Sequence, residues 1–92
     1  MALKDFHSPP TDGVVFKEQS DLMTAVGLKE GDVIVAVYGT RVHNTAQYEY
    51  GRGMRGASEM DLIVWQGDAY REIKASPPNH LFGVDIGDYT PK

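Results

Sequence analysis

The sequence AVGLKEGDVIVAVYGTRV, residues 25–42, decides the expected fold of this protein. Its centre, residues 33–38, is apolar and rich in β-branched side chains, which is typical of a strand buried on both faces of a sheet. Gly27 precedes that strand at the expected end of a short helix, and residues 29–32 have the composition of a tight turn. Gly39 begins the next turn. The stretch therefore predicts a helix, a turn and a central strand in close succession.

The chain as a whole divides into a short N-terminal segment and a folded domain. Residues 1–12 are polar and contain two adjacent prolines, so they predict a flexible tail or linker. Residues 13–92 are expected to form the folded domain. Within it, residues 14–16 have the composition of a strand, and Ser20 is expected to cap the short helix that ends at Gly27.

The segment after this stretch supplies the remaining elements. A second helix is expected over residues 46–50, capped by Asn44 or the threonine after it, although three glycines weaken its second half. Residues 60–65 and 70–74 alternate around a short turn and predict a hairpin. The apolar patch at residues 81–86 is expected to form one more strand. About five strands and two short helices indicate an α+β fold, built as a partly open barrel or sandwich.

Composition limits the classes of function. The chain has 92 residues, of which 41% are hydrophobic and 24% charged, values ordinary for one globular domain. Nine basic against thirteen acidic residues give a net charge of −4, which argues against a dedicated nucleic-acid binder. No apolar run approaches the roughly 20 residues that span a bilayer. We therefore expect no nucleic-acid partner, no membrane insertion and no signal peptide in this chain.

Residue patterns typical of catalysis or metal binding are missing from the sequence. The three histidines, His7, His43 and His80, are too far apart to form a ligand pair, and there is no cysteine. No serine lies in a Gly-x-Ser-x-Gly elbow. We expect the protein to be non-catalytic and to use neither a metal nor another cofactor.

Residues 25–42 resemble a PDZ domain of the bacterial type, whose pattern in this region is A-G-L-x-x-G-D-x-I-x-x-V-x-G-x-x-V. The matching residues are Gly27, Leu28, Gly31, Asp32, Ile34, Val37, Gly39 and Val42. Tyr38 departs from the family, which usually has asparagine before the glycine. The order of elements also fits over roughly residues 13–75. The resemblance implies a PDZ-like, partly open barrel or sandwich of five to six strands with two short helices.

PDZ domains bind peptides, usually protein C-termini, as an added strand at a sheet edge. In the family a Φ-G-Φ loop binds the terminal carboxylate and directly precedes the groove strand. Residues 1–12 contain no such loop, but Phe82-Gly83-Val84 resembles it, with Val84-Asp85-Ile86 as the groove strand. A circular permutation would account for this displacement.

The other wall of the expected groove is the second helix. Ala46 and Tyr50 lie four residues apart on that helix and are expected to face a peptide, and His43 is expected to contact a polar side chain of the peptide. Equally, the aromatic residues of this helix fit a role in covering the sheet, and the three histidines fit surface positions.

Two alternatives stay open at the level of sequence. Residues 81–86 also fit a plain edge strand or the start of a further domain. The protein as a whole also fits a structural or assembly module, whose sheet edge pairs with another domain or a second copy. In either case the chain fits a module of a larger protein, such as a protease of the cell envelope or a scaffold.

Overall fold

The computed structural model describes residues 2–53, 59–78 and 81–91 of the chain. It has an α+β fold, as the sequence predicted. The elements in chain order are β1 Gly13–Phe16, α1 Asp21–Ala25, β2 Val33–Val37, β3 Thr40–Arg41, α2 Thr45–Gly53, β4 Met60–Trp65, β5 Tyr70–Ala75 and β6 Ile86–Tyr89.

The strands form one open antiparallel sheet in the order β5-β4-β2-β1-β6, with the short β3 paired to β2. All five residues of β2 are buried, which confirms the prediction of a central strand. Strands β5 and β6 lie at the two edges. The sheet is open and does not close into a barrel.

Apolar side chains cover both faces of the sheet. The larger cluster includes Val14 and Phe16 of β1 and Tyr48 of α2, so α2 packs on this face. Val15, between them in β1, contributes to a smaller cluster on the opposite face, as the alternation of a strand requires. The core therefore has two layers, and α2 lies over only one of them.

Residues 3–12 pack against the second face of the sheet. They begin with a 3-10 turn over Leu3–Asp5. The ring of Phe6 lies 4.9 Å from that of Tyr70, whose hydroxyl donates to the Ser8 carbonyl oxygen at 2.7 Å. The sequence predicted a flexible tail or linker here. The structure instead uses Phe6 to cover the apolar cluster that α2 leaves uncovered.

One local prediction around α1 is confirmed, and a second polar residue stabilises the turn that follows. The Ser20 hydroxyl accepts from the Met23 backbone N–H at 3.3 Å, so Ser20 is the helix cap. Asp32 braces the turn before β2, because its Oδ2 accepts from the Lys29 backbone N–H at 2.9 Å and from Gln66 Nε2 at 2.6 Å. These bonds explain how a carboxylate is accommodated at a buried position.

Helix α2 continues through Gly53, beyond the part that the sequence supported. A Cβ added at Gly51 would lie 2.8 Å from Cγ1 of Val37, so the absence of a side chain lets α2 approach β2 closely. Tertiary packing thus outweighs the weak helix propensity of glycine at this position. Met54 and Gly56, which the sequence placed in the same region, lie outside the described residues.

The last strand begins later than predicted. The sequence suggested a strand over residues 81–86, but β6 starts at Ile86 and residues 81–85 form a loop. Phe82 turns inward and packs edge-on against Phe16, with ring centroids 5.7 Å apart. Gly83 has a φ of +76°, which interrupts an extended chain. These two features separate the loop from the strand.

Candidate functional site

The outer edge of β6 has the geometry to accept another strand. Among the described residues β6 pairs only with β1, and the Lys17 N–H donates to the Asp85 carbonyl oxygen at 3.0 Å. This bond sets the phase of the antiparallel ladder, in which bonded and non-bonded pairs alternate. Gly87 and Tyr89 therefore direct their N–H and C=O groups toward β1. Ile86 and Asp88 direct theirs toward the open edge.

A cleft of about 440 Å³ lies between the 81–85 loop, the start of β6 and helix α2. Its lining residues are Phe16, Glu18, Tyr48, Glu49, Leu81, Phe82, Gly83, Val84, Asp85 and Ile86. Phe16, Tyr48 and Phe82 are buried and form an aromatic floor. Leu81 is exposed at the rim. The cleft therefore combines an apolar base with the open edge of a sheet.

The loop before β6 lines this cleft and carries backbone donors that are unpaired within the described residues. Nothing lies within 4 Å of a Cβ added at Gly83, so its positive φ, and not crowding, favours glycine there. The N–H groups of Gly83 and Val84 have no hydrogen-bond partner in the part of the chain that the structure describes. The next N–H, that of Asp85, donates to Oε1 of Glu18 at 2.9 Å.

The charged side chains around the cleft are acidic. Glu18, Glu49 and Asp85 line it, and none of its described lining residues is a lysine, arginine or histidine. Lys17 is next to Glu18 in the sequence, but its side chain lies over Gly87. Gly87 pairs with Val15, whose side chain packs on the opposite face of the sheet, so Lys17 lies away from the cleft.

A polar contact bridges β6 and the start of α2. Oδ1 of Asp88 accepts from the Thr45 backbone N–H at 2.8 Å and from the Thr45 hydroxyl at 2.9 Å. These two bonds, the backbone one first, hold the pKa of Asp88 below its ordinary value. The bridge holds the start of α2 beside β6, two residues beyond Ile86, the β6 residue that lines the cleft.

Replacing Thr45 with valine is expected to raise the pKa of Asp88 part of the way back to its ordinary value. The hydroxyl bond disappears, whereas the backbone bond stays. Because the pKa is depressed in the folded state, the contribution of Asp88 to stability is present at neutral pH and lost as the pH falls through that lowered pKa. Carboxyl chemical shifts measured by NMR during an acid titration check this. Equal midpoints in wild type and variant would contradict it, and Thr40→Val on β3 is the control.

The structure brings five of the eight predicted site residues into one cleft. Phe82, Gly83, Val84, Asp85 and Ile86 all line it.

The other three predicted residues lie elsewhere. Ala46 and Tyr50 line a second cavity, of about 460 Å³, between α2 and the β2–β3 turn. His43 pairs with Asp12, its Nδ1 lying 2.9 Å from Oδ2. The i, i+4 spacing correctly placed Ala46 and Tyr50 on one helix face, but that face is not the one beside the loop. His80 lies outside the described residues.

Sequence reasoning missed Glu18 and Glu49 and gave Tyr48 only a role in covering the sheet. Glu18 lies 67 positions from the amide that it accepts from, a separation that no local pattern reveals. Tyr48 is fully buried, so it sets the rotation of α2 and thereby places the neighbouring Glu49 at the cleft.

Comparison with protein-family models, with curated proteins and with solved structures finds no match to this chain. Within the described ranges, no cluster of three or more histidine, aspartate or glutamate side chains is placed to hold a metal ion. None of the helices in those ranges is long and apolar enough to cross a bilayer.

Proposed function

We propose that this chain is a non-catalytic, PDZ-like module that binds an extended peptide or a protein C-terminus by strand addition. The observation that carries the proposal is the open edge of β6 beside the cleft. Ile86 and Asp88 direct their backbone groups outward there, next to an aromatic floor and a loop with two N–H groups that have no described partner. Main-chain pairing gives affinity in such sites, and neighbouring pockets give specificity.

The position of β6 supports a circularly permuted PDZ arrangement. In the family the groove strand comes first and lies beside a strand equivalent to β1. Here β6 comes last in the chain and pairs antiparallel with β1. The Phe82-Gly83-Val84 loop enters that strand, as the family's Φ-G-Φ loop enters its groove strand. The glycine-rich match over residues 25–42 covers the end of α1, the following turn and the central strand β2, which agrees with the resemblance.

The bridge between Asp88 and Thr45 limits the length of the guest. The β6 residue that lines the cleft is Ile86, and the bridge lies two positions further along the strand. A strand advances about 3.3 Å per residue, so only a short segment of a peptide enters the cleft. Small contact areas are typical of weak, transient complexes.

The proposal is tested by comparing Ile86→Pro with Ile86→Ala. Both variants lose the isoleucine side chain, but only proline removes the outward N–H, and a proline is tolerated at an edge position whose N–H faces away from the sheet. With the tightest binder from a synthetic octapeptide library, we expect Ile86→Pro to bind about tenfold more weakly than Ile86→Ala.

Fluorescence titration gives the two dissociation constants, and circular dichroism verifies that both variants are folded. Equal affinities would contradict strand addition at β6. Failure of every library member to bind more tightly than about 1 mM would contradict a peptide-binding function altogether.

The same open edge favours one second candidate, an assembly module. An exposed edge strand pairs readily with another chain of the same kind. Analytical ultracentrifugation over a range of concentrations distinguishes the two functions. Self-association that is abolished by Ile86→Lys would favour assembly, whereas a monomer at all concentrations favours the peptide site.

A further inference from the structure

We infer that the cleft selects an internal peptide segment carrying a lysine or arginine side chain, and that it excludes a terminal carboxylate. The inference rests on the proposed function and specifies its ligand. It also departs from the usual C-terminal ligand of the PDZ family. Three features of the cleft carry it: the sign of its charges, an occupied loop amide and its exposed apolar lining.

The charges around the cleft favour a cation. Glu18, Glu49 and Asp85 are its charged lining residues in the described part of the chain. A guest carboxylate at the loop meets like charges, whereas a guest ammonium or guanidinium group meets opposite ones. The whole chain carries a net charge of −4, so the long-range field acts in the same direction.

One loop donor is already used by the protein's own carboxylate. The Asp85 N–H donates to Oε1 of Glu18 at 2.9 Å. A terminal carboxylate that bound this amide would displace Glu18. The displacement would replace one charge-assisted hydrogen bond with another, so no bond is gained, and it would bring two carboxylates close together. The N–H groups of Gly83 and Val84 remain, and backbone carbonyl oxygens of an internal segment suffice to accept from them.

The exposed and partly buried apolar side chains of the cleft, Leu81, Val84 and Ile86, suit the stem of a long basic side chain. Phe16 and Phe82 pack edge-on at the base, and Tyr48 lies beside them. The methylene groups of lysine or arginine cover apolar surface while the charged head stays in water. A head group placed at the rim would face the carboxylates of Glu18 and Glu49, which line the same cleft and attract a cation.

Three synthetic heptapeptides with one β-prone sequence test the inference. The first is acetylated and amidated and has a central lysine. The second has glutamate in place of that lysine. The third is extended at its N-terminus and ends with a free C-terminal carboxylate at the former lysine position, so that it also has seven residues. We expect the lysine peptide to bind wild type about tenfold more tightly than either other peptide, and this preference to shrink as salt screens the charges.

The double variant Glu18→Gln, Glu49→Gln supplies the sharper test. Glutamine keeps the shape of both side chains, and at position 18 its amide oxygen still accepts from the Asp85 N–H. We expect the lysine peptide to bind this variant about threefold to tenfold more weakly, and the free-carboxylate peptide to bind it more tightly. A change in fold stability shifts both affinities in one direction, so opposite shifts are specific to the charges.

Glu72→Gln is the matched control, because Glu72 is exposed on β5 at the other edge of the sheet. It alters the net charge without touching the cleft, and both affinities should stay close to wild type. The inference would be overturned if wild type bound the free-carboxylate peptide as tightly as the lysine peptide. It would also be overturned if the double variant changed the affinities for both peptides in the same direction. Peptide binding that Ile86→Pro leaves unchanged would instead overturn strand addition, which is a separate result.

Discussion

Replacing Gly13 with alanine is expected to lower the free energy of unfolding by about 3 kcal/mol or more. Gly13 has a φ of +151°, a conformation that residues with side chains rarely adopt. A Cβ added there would lie 2.7 Å from both the carbonyl oxygen of Ile34 and Cγ1 of Val33. The carbonyl oxygen belongs to the backbone of the central strand, so it cannot move aside as a flexible side chain would.

Urea denaturation followed by tryptophan fluorescence measures this loss. A small domain has roughly 5 kcal/mol of stability to begin with, so the variant should keep about 2 kcal/mol or less and unfold at a much lower urea concentration than wild type. Gly53→Ala is the control, because Gly53 lies in α2 with nothing within 4 Å of an added Cβ. That change is expected to be neutral or slightly stabilising. Equal stabilities of the two variants would refute the crowding at Gly13.

Replacing Phe16 with alanine is expected to destabilise the protein by about 3–5 kcal/mol. Phe16 is 1% exposed and packs edge-on against Phe82, so its removal leaves a void under the loop that precedes β6. The effect should extend to the cleft, because Phe16 and Phe82 both line it. Peptide affinity should therefore fall even under conditions in which the variant is folded.

Chemical denaturation and peptide titration of the same sample check both parts of this prediction. Phe6→Ala is the control, since Phe6 is only partly buried and packs on the opposite face of the sheet, against Tyr70. It should cost about 1 kcal/mol and leave peptide affinity unchanged. If Phe6→Ala weakened binding as much as Phe16→Ala, the cleft would not depend on its aromatic floor.

The fold class was predictable because its signals are local. The β-branched run at residues 33–37 is buried throughout and therefore reads as a central strand. Ser20 caps α1 through a bond to a residue only three positions away. The packing of residues 3–12 on the sheet was not predictable in this way, because Phe6 packs against Tyr70, which is distant in sequence.

The site was predictable in part for the same reason. The Phe82-Gly83-Val84 loop is a contiguous motif, and the structure places all three residues at the cleft. Which face of α2 lies beside it depends on the burial of Tyr48, a tertiary property that the spacing of Ala46 and Tyr50 does not encode. Glu18 reaches the cleft through a fold-dependent contact with the Asp85 amide, so no sequence pattern points to it.

In the described part of the chain β6 has one neighbouring strand, β1, so binding of a guest strand and ordering of β6 are linked. A strand held along one side frays more readily than the strands enclosed between two others. A guest that pairs with the outer side gives β6 its missing second neighbour, so complex formation and tightening of this strand proceed together. In a complex of the proposed kind, part of the interaction energy would go into ordering β6, so we expect the net affinity to be modest.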